Sequence, residues 1–141
     1  MRRGFPIAME LRSKTMTSRI PHRILVVDDE PIMLALLSDL LSGEGYQVSL
    51  AESAFEALRL IQNDSFHLII SDINMPMMDG KQLYMEVARL SLNIPFVFMT
   101  GGITGQSDVR MLETASCPIR RFLIKPFTPE ELFDALGHRR E

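Results

Sequence analysis

Three aspartates, a threonine and a lysine each stand directly behind a short apolar run, and that shared placement could make them one site. Asp28 and Asp29, with Glu30 behind them, follow ILVV at 24–27. Asp72 follows HLIIS at 67–71, and Thr100, Gly101 and Gly102 follow PFVFM at 95–99. Lys125 and Pro126 follow RFLI at 121–124. Crowded carboxylates repel, and burying them is costly unless a cation offsets the charge. Mg²⁺ is suited to offset it, since it takes oxygen ligands, keeps several waters and binds carboxylates beside phosphate oxygens. The ammonium of Lys125 suits a phosphate oxygen. Thr100 adds a hydroxyl, and Gly101 and Gly102 would let the backbone approach a bound group. Together these groups suit phosphoryl transfer. With no Ser–His or Cys–His pattern in the chain, a carboxylate becomes the candidate acceptor. Asp72 stands alone, whereas Asp28 and Asp29 are adjacent, so Asp72 is the candidate nucleophile and the pair the candidate metal ligands. An acidic triplet by itself could be a cluster favoured by a helix dipole; Asp72 and Lys125 at matching places favour a site.

The elements that must hold these residues are legible from the same pattern. Apolar runs at 24–27, 46–51, 67–71, 95–99 and 121–124 read as strands. Between them lie segments of helical spacing. The segment at 31–45 opens on Pro31, closes near Gly43 or Gly45, and places Ile32, Leu36, Leu37, Leu40 and Leu41 on one stripe. Ser53 with Glu56, and Thr128 with Glu131, have capping-box spacing ahead of helices at 53–64 and 128–139. Further helices are expected at 79–91 and about 106–116. Strands that are apolar throughout need cover on both faces, which implies a parallel sheet between helices. Open sheets of this kind bind ligands beyond the carboxyl ends of their strands. Strands one, three, four and five would then deliver the polar residues to one rim.

Composition sets outer limits. The 141 residues are 46% apolar and 23% charged, ordinary for a single globular domain. A net charge of −3 gives no sign of a nucleic-acid surface. Cys117 is the single cysteine, so no internal disulfide or cysteine metal cluster can form, which fits a cytoplasmic setting. No apolar run approaches the roughly 18 residues of a membrane span. Residues 1–20 carry five basic residues and one acid, Glu10, without the apolar core of a secretory signal. They are expected to form a flexible basic tail ahead of one domain at 21–141. His22, His67 and His138 are scattered and are expected to ligate nothing.

Taken together, ILVVDDEP, LIISDINMPMMDG, FVFMTGG and FLIKPF resemble, in order and spacing, the landmarks of response-regulator receiver domains, the phosphoacceptor modules of two-component signalling. The resemblance covers about residues 21–138. It implies a flavodoxin-like, doubly wound sheet of five strands in the order 2-1-3-4-5, with five helices. It implies that Asp72 is phosphorylated by a histidine kinase or a phosphotransfer protein. Mg²⁺ would lie on Asp28, Asp29, Asp72 and the backbone carbonyl of Asn74. Lys125 would pair with the phosphoryl group, and its bond to Pro126 would be cis. Thr100 would be the switch hydroxyl and Phe122 the switch aromatic. Phosphorylation would reshape the face built from the fourth helix, fifth strand and fifth helix, which a downstream effector or a second copy of the chain would read. No membrane or nucleic-acid contact is implied, and no catalysis beyond self-phosphorylation and autodephosphorylation.

The chain also departs from that family. Gly101 stands where alanine is commoner, TASCPIRR replaces a shorter turn before the fifth strand, and Phe122 lacks the hydroxyl of the common tyrosine. The style of this region resembles receivers attached to hybrid sensor kinases. Two alternatives stand beside the receiver. A Mg²⁺-dependent aspartyl-phosphate phosphohydrolase would need an acid where Asn74 stands. A scaffold without phosphorylation would not need the complete set of site residues.

Overall fold

The computed structural model describes residues 22–102 and 106–137. The expected tail at 1–20 and the region of His138 lie outside them. Five strands form one sheet: β1 Arg23–Val27, β2 Gln47–Ala51, β3 Leu68–Asp72, β4 Phe96–Thr100 and β5 Ile119–Ile124. Their order is β2-β1-β3-β4-β5 and every neighbouring pair is parallel. This is the flavodoxin-like winding that the sequence implies. The helices are α1 Pro31–Gly43, α2 Ala54–Asn63, α3 Gly80–Arg89, α4 Gln106–Arg110 and α5 Pro129–Ala135. No helix among the described residues is long and apolar enough to cross a membrane.

Successive side chains of a strand point to opposite faces, so each central strand feeds two cores. Ile24, Val26, Leu68, Ile70, Val97 and Met99 pack with Leu34, Leu37 and Leu41 of α1 and Leu132 of α5. Leu25, Val27, Ile69, Phe96 and Phe98 pack on the other side with α2, α3 and Val109 of α4. This two-sided burial explains why the middle strands carry apolar residues at successive positions until their carboxyl ends.

The helix starts follow the capping chemistry, with one variation. Thr128 and Glu131 form a reciprocal box, and so do Asp79 and Gln82. Ser53 accepts from the Glu56 N–H at 3.1 Å, but Glu56 reaches back to the N–H of Glu52 at 2.9 Å instead of closing the box on Ser53. At the end of α1, Gly45 takes a φ of 95°, which a residue with a side chain rarely adopts, and the chain turns there into β2.

Two expectations need correction. The buried stripe of α1 is Leu34, Leu37 and Leu41; Ile32 is 84% exposed and Leu36 48% exposed. A helix on a sheet buries only an arc of its surface, and α1 carries more apolar residues than that arc can take. The fourth helix stops at Arg110, well short of 116. Beyond it the chain tightens into three-residue turns, with the N–H of Leu112 on Val109 and that of Glu113 on Arg110. The N–H of Thr114 then donates to the Tyr84 hydroxyl at 2.8 Å, so it does not continue the helix. That hydroxyl donates to the Cys117 carbonyl at 2.6 Å, and Cys117 is buried. The turn that looked unusual in sequence is therefore bolted to α3 through one phenol.

Tyr84→Phe leaves the part-buried Thr114 N–H and the buried Cys117 carbonyl without that partner. It is expected to lower unfolding free energy by about 1–3 kcal/mol, read as a reduced urea midpoint with an unchanged slope.

Candidate functional site

Because all five strands are parallel, their carboxyl ends share one rim. Val27 lies in register with Ser71, Asp72 with Met99, and Thr100 with Ile124. The residues just past β1 and β5, and the last residues of β3 and β4, thus become neighbours although they are far apart in sequence.

The acids meet there. One ligand oxygen from each of Asp28, Asp29 and Asp72 can lie within 4.8 Å of the others. Asp28 and Asp72 are buried and Asp29 is exposed. Asp28 is fixed twice: its Oδ1 accepts from the Glu30 N–H at 2.9 Å, and its Oδ2 accepts from Lys125 Nζ at 3.0 Å. Asp72 accepts from the Asn74 N–H at 3.3 Å through Oδ1 and from Lys125 Nζ at 3.3 Å through Oδ2. Lys125 also reaches Glu30 Oε1 at 3.3 Å. Its backbone N–H donates to the Thr100 carbonyl at 2.7 Å, which ties the start of its loop to the end of β4. The Lys125–Pro126 bond is cis.

The electrostatics follow from burial and crowding. Burial pushes the Asp72 carboxyl above its ordinary range; Lys125 opposes this, Asp28 adds to it, and the Asn74 N–H opposes it. For Lys125, burial alone would lower the ammonium pKa. The hydrogen bond to Asp28 and the charges of Asp72 and Asp28 outweigh burial and raise it. Lys125 is therefore a firmly charged group, shared among three carboxylates.

Thr100 is at the same rim, but its hydroxyl turns into its own loop. It donates to the Gly102 carbonyl at 2.8 Å. Phe122 lies in register with Phe98, two residues before the strand end, and its ring stacks on Phe98 at 5.9 Å rather than meeting the acids. By strand alternation Phe98 and Thr100 share one face of β4, so Thr100 and Phe122 face the same side of the sheet. His22 and His67 lie at the other end of β1 and β3, where they touch edge to face.

Sequence reasoning missed two participants. Glu30 was counted only as part of an acidic triplet, although it is a third partner of Lys125. Gly80 enters the sequence reading only as part of the helix expected at 79–91. A Cβ there would collide with the Asp72 carbonyl oxygen and lie 2.9 Å from Ile73 Cα. Its N–H donates to the Ile73 carbonyl at 2.7 Å, so α3 begins directly against the strand end that carries Asp72. The Asp-Gly pair at a helix start was the available signal. At Gly101 and Gly102 an added Cβ would meet nothing within 4 Å.

The family model for the response regulator receiver domain matches residues 24–137. The sensor histidine kinase RcsC of Salmonella typhi is 36% identical over 132 residues, which cover 92% of this chain and 13% of that protein. The chain thus spans a small part of that relative's length. The structure of the chemotaxis protein CheY4 of Vibrio cholerae matches with a TM-score of 0.73 at 31% identity, over 82% of this chain and 96% of that one. The response regulator protein TrrA of Thermotoga maritima, in complex with Mg²⁺-BeF, matches with a TM-score of 0.72 at 30% identity, over 82% and 96% of the two chains.

A carboxyl whose pKa is raised by folding costs stability when ionised and costs nothing once protonated in both states. Asp72 is such a group. Asp72→Asn is therefore expected to raise the urea midpoint at neutral pH. The advantage over the parent protein should shrink as the pH falls through the raised pKa toward the ordinary aspartate range.

Proposed function

This chain belongs to the response regulator receiver domain family, and from that premise we propose that Asp72 accepts a phosphoryl group and that the resulting change of shape is the signal. The observation that carries this reading is the single ammonium of Lys125 bridging Asp28 and Asp72 at the rim of the sheet. Receiver domains of two-component systems work with histidine kinases and effectors, so the donor is a phosphohistidine on a kinase or on a phosphotransfer protein. The likeness to part of a sensor kinase supports a role in a relay of that kind. The proposed setting is the cytoplasm.

In the transfer, a carboxylate oxygen of Asp72 attacks phosphorus. The O–P bond forms as the P–N bond to the donor histidine breaks, and the electron pair leaves on the imidazole nitrogen, which takes a proton from solvent. With acetyl phosphate the leaving group is acetate. Lys125 is poised to trade its contact with the Asp72 carboxylate for a phosphoryl oxygen. Asn74, through its N–H on Asp72, holds the acceptor in place.

Asp28, Asp29, Asp72 and the Asn74 carbonyl would hold Mg²⁺, which supplies charge neutralisation for the phosphoryl oxygens. The donor set is all oxygen and closely gathered, which fits this ion. The Mg²⁺-BeF complex of TrrA supports the choice of ion. The Thr100 hydroxyl then leaves Gly102 for the new oxygens, and Phe122 turns into the space vacated on that face. The α4–β5–α5 surface carries the change to an effector, or to a second copy of the chain.

Incubation with acetyl phosphate and Mg²⁺ should add a single acid-labile phosphoryl group, seen by mass spectrometry. Asp72→Asn should abolish it, a chelator should prevent it, and Lys125→Met should slow it on the order of a hundredfold. Sustained release of phosphate would instead make the protein a phosphohydrolase. No modification of the parent protein would make it a scaffold.

A further inference from the structure

Phe122 is held by more than its neighbours in the sheet. The Arg110 guanidinium carbon lies 5.0 Å from the centroid of its ring. That guanidinium is itself pinned: Nη1 donates to Glu113 Oε1 at 3.1 Å and to the Ile119 carbonyl at 3.1 Å. The other Glu113 oxygen accepts from the Ile119 N–H at 2.7 Å. The Ile119 N–H holds the Glu113 carboxyl below its ordinary range; burial opposes this and Arg110 adds to it. Arg110 ends α4, Glu113 lies in the turn that follows, and Ile119 opens β5. One cation therefore links α4, the bolted turn and the ring of Phe122.

The chemistry of the ring gives this link a purpose. A phenylalanine has no hydroxyl through which a hydrogen bond could fix its position. A cation over its face is the available polar restraint, because the ring quadrupole attracts it. We propose that Arg110 is a positioning residue that latches Phe122 in its resting place and so sets how much phosphoryl occupancy is needed to switch the domain. The latch rests on the reading of Asp72 as acceptor and of Phe122 as the ring that moves. When Phe122 turns inward it leaves the guanidinium, so the contact favours the resting state alone. A contact made in one state alone shifts the balance between states by its full free energy.

The test is a beryllofluoride titration at fixed Mg²⁺, followed by amide NMR of Phe122, Leu123 and the residues around Asp72. Arg110→Ala is expected to lower the midpoint about two- to fivefold. Its free-state resonances at Phe122 and Leu123 should already lie part of the way toward the bound positions. Arg110→Lys should restore part of the parental midpoint. In a Phe122→Leu background the effect of Arg110→Ala should vanish, which a role confined to packing the turn would not produce. An unchanged midpoint in Arg110→Ala, with Asp72 still responding, would overturn the latch and leave the phosphoacceptor reading intact. The same holds for an equal shift in the Phe122→Leu background. Failure of the parent protein to respond at Asp72 would overturn both.

Discussion

One ammonium among three carboxylates is the constraint on which the site depends. Asp28 is fully buried and Asp72 nearly so, and Lys125 is the cation that both carboxylates contact there. The lysine comes from the loop after β5, two places along the sheet from β3, while Asp28 comes from the loop after β1 on its other side. Only a parallel sheet in this order brings both to Asp72. The two apolar cores and the capped helices are the means by which that order is kept. The arrangement is also unbalanced, because Glu30 competes for the same ammonium and Asp29 adds a further charge at the rim. A site with more carboxylates than cations favours the arrival of a divalent ion and is poised to reorganise when charge is added.

Legibility in the sequence tracked how local each signal was. Asp28, Asp29, Asp72 and Lys125 could be read because each follows an apolar run, and a buried parallel strand has few other ways to look. The capping box at Thr128 could be read because it spans only four residues. What escaped depends on distant partners. The rotation of α1 about its axis is set by the sheet beneath it, and a helix with Ile32, Leu34, Leu36 and Leu37 in its first turns does not reveal which arc is covered. The end of α4 is set by the Tyr84 hydroxyl, some thirty residues upstream. Gly80 matters because of a carbonyl on another element, and nothing in the sequence around it names that partner.

Distant partners also bear on the proposed switch. The Thr100 hydroxyl is held at rest by a neutral hydrogen bond to Gly102, and a phosphoryl oxygen would offer a charged acceptor, which binds a hydroxyl more strongly. The Gly102 carbonyl that holds this hydroxyl also accepts from Gln106 Nε2 at 3.4 Å. On the other side of the same face, Phe122 is restrained by stacking on Phe98 and by the Arg110 cation. The far half of the proposed switch is thus held by two ring contacts. On the proposed reading, such a restraint would make the response two-state, because Phe122 would stay until the gain at the phosphoryl group exceeded what the ring loses by leaving. The Phe98–Phe122–Arg110 stack would then set the threshold, and the acid cluster would supply the force.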